Sequence, residues 1–298
     1  MSIISPEKVF VQQLNLPVFS ERKIQVSIVR LDLIHPFISG NKWFKLSGYI
    51  KDAAEKGYQK IATFGGAYSN HILATAAYCY DNSLKAVGFI RGEEPSDYSN
   101  ILQEALKFNM QLVFLSREDY KNRNLSFLKE EYSDCYFIDE GGFGPLGITG
   151  IKDIFEWIPT ETNFIVAACG TGTTLAGLIY SALLHQQIVG INVLKGYEAI
   201  VEDINSLFPS YFKPNKWEVF NDYHFGGYAK KTDSLIHFMN QLWDTNRLPT
   251  DFVYESKMMF GLIDLAEKGY FPQNSSVLAI HSGGLQGNYS LPKGLLHF

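Results

Sequence analysis

From Tyr58 onward, short runs of β-branched, aromatic and small apolar residues alternate with stretches whose apolar positions recur at helical spacing. Lys60–Phe64, Lys85–Ile90, Gln111–Leu115, Cys135–Ile138, Phe164–Ala168, Ile188–Leu194 and Val277–His281 read as strands. Asn70–Tyr80, Tyr98–Phe108, Thr173–Leu184 and Met258–Lys268 read as helices. This alternation predicts the α/β class, with open, twisted, mostly parallel sheets flanked by helices. Ahead of it, Gln25–Leu33 alternates apolar and polar residues like a half-exposed strand and is expected in a different sheet. The run containing Gly141, Gly142, Gly144, Pro145, Gly147 and Gly150 predicts a flexible crossing between two domains.

The chain of 298 residues has room for one large or two medium domains, and 46% hydrophobic with 19% charged residues is an ordinary globular balance. A net charge of −5 without clustered Lys and Arg excludes a nucleic-acid footprint and leaves a small molecule as the expected partner. Cys79, Cys135 and Cys169 are odd in number and form no C-x-x-C pair, so reduced thiols are expected, with no disulfide framework or zinc site. Met1–Pro6 shows no basic-then-apolar pattern, so no signal peptide and a cytoplasmic location are expected. The most apolar segment, Phe164–Leu184, is interrupted by Gly170, Thr171, Gly172, Thr173 and Thr174, which favours strand, turn and buried helix over a membrane span.

Candidate chemistry gathers where strands end. Gly65-Gly66-Ala67-Tyr68-Ser69-Asn70-His71, Cys169-Gly170-Thr171-Gly172-Thr173-Thr174 and His281-Ser282-Gly283-Gly284 each follow a predicted strand. Ligands of open α/β sheets bind at strand carboxyl ends, and glycine lets backbone N–H groups approach an anion closely. The second turn suits a phosphate, with a helix N-cap made by Thr173 or Thr174 as the alternative. It lacks the Gly-Lys-Ser/Thr of a P-loop, and Leu175 breaks the dinucleotide fingerprint. Lys42, between Ser39-Gly40-Asn41 and Trp43-Phe44 at the start of an amphipathic helix, is a lysine in a partly apolar setting. Such an amine has a lowered pKa, which favours Schiff-base chemistry.

In order along nearly the whole chain, these segments resemble the family of pyridoxal-5′-phosphate (PLP) enzymes that contains 1-aminocyclopropane-1-carboxylate (ACC) deaminase and D-cysteine desulfhydrase. Ser39–Lys42 resembles the family's Gly-Gly-Asn-Lys, Gly65–His71 its Gly-Gly-x-x-Ser-Asn-His/Gln, and Gly170–Thr174 its phosphate cup. Gly226-Gly227-Tyr228 and Tyr254-Glu255 resemble its tyrosine segments, and His281–Gly284 its closing His-Thr-Gly-Gly or His-Leu-Gly-Gly. The resemblance implies the tryptophan-synthase-β-like fold type II, commonly a homodimer. Residues 1–45 and 151–298 would form the large PLP-binding domain, and 46–150 a smaller inserted domain.

It also implies roles. Lys42 bears PLP. Gly170, Thr171, Gly172, Thr173 and Thr174 hold its phosphate, and Asn70 orients the ring. Ser69, Asn70 and His71 receive the substrate, with Ser69 also an acid/base group. Tyr228 and Tyr254 are candidate acids, bases or nucleophiles, against a packing role for both rings. Glu255 matches ACC-deaminase-like members, where a carboxylate at the ring nitrogen deepens the electron sink; its alternative is an exposed helix-starting glutamate. Ser282 stands where desulfhydrase-like members carry Thr. Phe44 replaces an Arg common in the family, and Ile72-Leu73 a Thr-Arg pair. The implied activity is a deaminase or lyase of a small amino acid, releasing ammonia and a 2-oxo acid. The alternatives are D-cysteine desulfhydrase, a PLP-binding protein with little catalysis, and a nucleotide-binding α/β protein.

Overall fold

The computed structural model describes residues 5–122 and 125–298; Met1–Ile4, part of the segment read for a signal peptide, lie outside the described residues. The chain begins with β1 (Val11–Gln13), α1 (Pro17–Glu21), β2 (Gln25–Val29) and α2 (Asn41–Glu55). Next come β3 (Lys60–Gly66), α3 (Asn70–Asp81), β4 (Lys85–Arg91), α4 (Asn100–Lys107), β5 (Met110–Leu115), α5 (Arg117–Asn122), α6 (Leu125–Glu131) and β6 (Tyr136–Ile138). After α7 (Pro145–Ile151) follow β7 (Phe164–Cys169), α8 (Thr173–Ser181), β8 (Gln187–Asn192), α9 (Ile200–Ser206), β9 (Trp217–Phe220), α10 (Asp233–Asn246), α11 (Glu255–Glu267) and β10 (Ser276–Ile280).

Two sheets result, ordered β1-β2-β10-β7-β8-β9 and β5-β4-β3-β6, and every pairing is parallel except β1 with β2. The α/β class with two mostly parallel, helix-flanked sheets is therefore as expected. Strands buried on both faces read as continuous apolar runs. In β7, Ile165 and Ala167 join one core while Val166 and Ala168 join another on the opposite face. The smaller sheet repeats this, with Ile61 and Ile90 on one face and Ala62, Phe64, Val87 and Phe89 on the other. Gln25–Leu33 is strand only to Val29, because Leu31–Leu33 turns into a buried 3-10 helix that leads to α2. As expected, it lies in a different sheet from β3.

The glycine run after β6 is not a flexible crossing. Pro145 starts α7, and the glycines press it against its neighbours. A Cβ on Gly150 would lie 1.9 Å from the Phe44 carbonyl oxygen of α2, one on Gly48 would lie 2.5 Å from the Leu146 carbonyl oxygen, and one on Gly177 of α8 2.4 Å from Ile151 Cβ. Backbones can approach this closely only where no side chain intervenes. The glycines thus serve helix packing, which composition alone does not distinguish from a linker. Among the described residues no helix is long and apolar enough to cross a membrane.

Candidate active site

The ends of β3, β7 and β10 each feed one glycine-rich turn, and the three turns converge on a cavity of ≈ 360 Å³. Lys42, Ser69, Asn70, His71, Gly170, Thr171, Gly172, Thr174, Tyr228, Tyr254 and Ser282 all line it. Of the residues given a catalytic, cofactor or substrate role from sequence, Thr173 and Glu255 stand behind the wall.

Lys42 occupies the second position of α2, after Gly40 at φ 65°. A Cβ on Gly40 would fall 2.0 Å from the Ser282 carbonyl oxygen, so glycine there lets the start of α2 abut the turn after β10. The Lys42 ammonium donates to Asn41 Oδ1 at 3.0 Å and to the Ser282 carbonyl at 3.4 Å. Burial holds its pKa below the ordinary lysine value, against the opposing pull of Asp251 and Glu255.

The second turn opens α8. Gly172 sits at φ 87°, and neither threonine caps the helix. Thr174 Oγ1 instead accepts from Asn41 Nδ2 at 2.7 Å, tying the turn to the lysine's neighbour. The Thr173 methyl faces Gly147, 2.9 Å from where a Cβ would stand, which turns that side chain toward α7. The N-cap alternative is thus not realised, and the N–H groups of the turn remain at a helix N-terminus, where an anion is favoured.

Ser69 caps α3 by accepting from the Ile72 N–H at 3.4 Å. Asn70 donates only a long 3.4 Å bond to the Gly284 carbonyl, and its Oδ1 is buried without a hydrogen-bond partner. His71 is buried, its Nε2 lying 2.9 Å from Thr63 Oγ1. Because Thr63 donates its own proton to the Ile138 carbonyl, it must accept from His71 Nε2–H. Burial first, then Lys45 and Lys42, push the imidazole down to about 3, so His71 is a neutral group.

Glu255 begins α11 fully buried, which excludes the exposed-glutamate alternative. Its Oε1 accepts from the Ser282 N–H at 3.1 Å and from the Ser282 hydroxyl, while Oε2 is buried without a hydrogen-bond partner. Burial pushes this carboxyl up to about 7, with Asp251 adding to the rise and His281 and Ser282 opposing it. His281 donates from Nε2 to the Pro249 carbonyl at 2.8 Å and accepts the Gly283 N–H at 3.2 Å, shaping the turn. Tyr228 and Tyr254 meet edge to face at 6.1 Å, and burial raises the Tyr254 phenol well above its ordinary value.

Several site residues escaped the sequence reading. Lys45, one turn after Lys42 on α2, lines the same cavity and donates to the Gly141 carbonyl at 2.9 Å. Burial first and then Lys42 push it down to about 7. Its i, i+3 spacing from Lys42 was a readable signal. Arg91, at the end of β4, also reaches the cavity. Asp251, fully buried, accepts from the N–H groups of Val253, Tyr254 and Glu255 at 2.8, 3.1 and 2.9 Å and so fixes the turn carrying two site residues. No local pattern announces it.

PLP fits this donor set. A desolvated lysine, a glycine- and threonine-rich helix start, a buried asparagine oxygen and a buried carboxylate oxygen without partners surround one cavity of ligand size. Comparisons with known proteins agree. The family model described as pyridoxal-phosphate dependent enzyme matches residues 13–283. A Pyrococcus horikoshii protein provisionally named 1-aminocyclopropane-1-carboxylate deaminase is 31% identical, over 91% of this chain and 88% of its own. The Arabidopsis thaliana bifunctional D-cysteine desulfhydrase/1-aminocyclopropane-1-carboxylate deaminase, mitochondrial, is 27% identical over 88% of this chain and 73% of its own. A crystal structure described as an ACC deaminase homologue superposes with a TM-score of 0.80 at 28% identity, covering 96% of this chain and 93% of that one. With the match running across nearly its whole length, the chain belongs to the pyridoxal-phosphate dependent enzymes of fold type II.

Proposed function

We propose that this enzyme deaminates a small amino acid in the manner of ACC deaminase, releasing ammonia and a 2-oxo acid. The observation that carries this reading is Glu255, a fully buried carboxyl at the start of α11 with one oxygen that no hydrogen bond holds, 4.0 Å from His281 Nδ1. Ser282 favours the second reading, D-cysteine desulfhydrase, which yields pyruvate, sulfide and ammonia. Yet its hydroxyl donates to Glu255, so the two discriminating residues act as one unit. When bound, PLP supplies an electron sink conjugated to the substrate amine.

Lys42 carries the cofactor and afterwards exchanges protons as a free amine, a role that its lowered pKa supports. Gly170, Thr171, Gly172 and Thr174 would hold the phosphate at the start of α8, with Thr173, whose side chain turns toward α7, offering only its main-chain N–H. Lys45 brings the cavity a second buried amine, while Phe44 and Leu73, which stand where the family resemblance puts arginines, are buried away from it. Asn70 orients the ring, and Glu255 with Ser282 serves its nitrogen. Ser69 and neutral His71 receive the substrate beside the N-terminus of α3. Tyr228 and Tyr254 move protons above the ring, the raised pKa of Tyr254 keeping it an acid.

Residues 1–45 with 151–298 are read as the large domain and 46–150 as the small one, a division supported by the four-stranded sheet arising within 60–138. The chain is read as a cytoplasmic homodimer. Three buried free cysteines support a reducing compartment, and sedimentation checks the dimer.

The test is ammonia, 2-oxo acid and sulfide release by the PLP-loaded enzyme with ACC and D-cysteine side by side. Preference for ACC supports the first reading, and sulfide from D-cysteine the second. Turnover of neither overturns both. Lys42→Ala should abolish turnover and the visible absorbance of lysine-bound PLP; survival of that band would remove Lys42 from its role.

A further inference from the structure

A second cavity, of ≈ 400 Å³, adjoins the first and shares Tyr68, Asn70 and Tyr228 with it. The two differ in chemistry. The first is lined by Lys42, Lys45, Arg91 and Glu140, whereas no charged side chain lines the second among the described residues. Its walls are aromatic and aliphatic, with neutral amides and hydroxyls between them. One side comes from Tyr98–Ile101 at the start of α4, the other from Phe252, Val253 and residues 286–290.

These walls are fixed before any ligand arrives. Tyr98 stacks on Phe114 at 5.8 Å, and the Ser99 hydroxyl both caps α4 and donates to the Ala67 carbonyl. Asn288 donates to the Thr250 carbonyl at 3.0 Å and accepts the Phe252 N–H at 3.3 Å, knitting the opposite side. Asn100 donates to the Tyr289 carbonyl at 2.9 Å and bridges the two.

We infer that this annex is a subsite for the side chain of the amino-acid substrate, and that it selects neutral apolar side chains longer than those of ACC or D-cysteine. The inference rests on the proposed amino-acid chemistry of the adjoining cavity. A charged side chain entering the annex gives up part of its hydration and meets no counter-ion among the lining residues, which disfavours it relative to an apolar one. A methylene leaving water there tightens binding by roughly fourfold.

The PLP-loaded enzyme is titrated with alanine, 2-aminobutyrate, norvaline and norleucine, in both enantiomers, and with lysine and glutamate. Kd is read from the change in the bound cofactor's visible absorbance. The expected result, for one enantiomer, is a stepwise fall in Kd, with norleucine at least about tenfold tighter than alanine and lysine and glutamate no tighter than alanine. Ser290→Trp, which fills the annex, should bring the alanine-to-norleucine ratio toward one, and the alanine Kd of the same variant reports that it is folded. A flat series, equal binding of norleucine and lysine, or a gain that survives Ser290→Trp overturns the inference. If neither ACC nor D-cysteine is turned over while the series keeps its slope, the proposed function falls and the annex stands. If no amino acid changes the absorbance, both fall.

Discussion

Glu255 shows how one residue's environment becomes a measurable quantity. Its carboxyl is raised to about 7 in the folded chain from 4.5. Between those values the folded protein holds a proton that the unfolded chain has released. Stability therefore falls as pH rises through this window, and is fully present only below the lower value. Glu255→Gln removes the titration while keeping an acceptor for Ser282. Relative to this variant, the PLP-free wild type should lose about 3 kcal/mol between pH 4.5 and pH 7. Urea unfolding at several pH values, compared between the two proteins, measures the difference; a constant difference would show that Glu255 titrates normally. His71, depressed to about 3, contributes the opposite slope between its two pKa values in both proteins and so cancels from the comparison.

At the scale of elements, two features carry separate expectations. The α2–α7 seam is closed by backbone contact at Gly150, so Gly150→Ala must force the helices apart. A loss of at least about 1–3 kcal/mol is expected, read by denaturant unfolding. The other feature is the loop that presents Tyr228. Phe225, Gly226, Gly227 and Ala229 all have positive φ, at 49°, 89°, 118° and 52°, so this loop needs outside support. Lys257, fully buried on α11, donates to the Gly227 carbonyl at 2.7 Å. Lys257→Met removes this charged donor and leaves the carbonyl only the Lys230 N–H at 3.2 Å, at a cost of about 1–3 kcal/mol. If the loop positions Tyr228, kcat should fall more than KM changes, whereas a purely structural lysine would lower stability and leave kcat per folded molecule intact.

Elements with strong local patterns were legible in the sequence. β3, β4, β7 and β10 are buried on both faces, and the apolar runs of β3, β7 and β10 end in glycine turns that could be read directly. β1 and β9 lie at sheet edges with three and four residues, too few to show a period. α10 had a usable signal that was passed over: Leu235, Ile236, Met239 and Leu242 recur at helical spacing behind the capping Thr232. The site divides similarly. Residues adjacent to glycine turns were legible, whereas Lys257 and Arg91 acquire their significance only from groups distant in the chain, and Asp251 from a local turn that three backbone N–H groups close on it.

For the whole molecule, the cofactor should act as a stabiliser shared by all the elements it touches. It would bridge α2, the starts of α3 and α8, and the turn after β10, which come from both sheets' surroundings. A ligand bound only by the folded state at one hundred times its Kd adds about 2.7 kcal/mol. PLP-loaded protein should therefore melt several degrees above the PLP-free form, and the gap should widen with PLP concentration. Coincident melting of both forms would place the cofactor outside the folded core. The chain carries a net charge of −5, and Lys42, Lys45 and Arg91 line the cavity beside Glu140.

The glycine seams of α7 have one more implication. With α2 clamped to this short helix through main-chain contact, and α8 seated on it where Gly177 receives the Ile151 side chain, the interval between Lys42 and the phosphate turn is set by glycines on all three helices. A gauge of that kind leaves the rest of the wall free to drift: the annex residues can be exchanged for new chemistry while the anchor points keep their spacing. Redesign of substrate preference should therefore start at the annex and leave the three-helix clamp untouched.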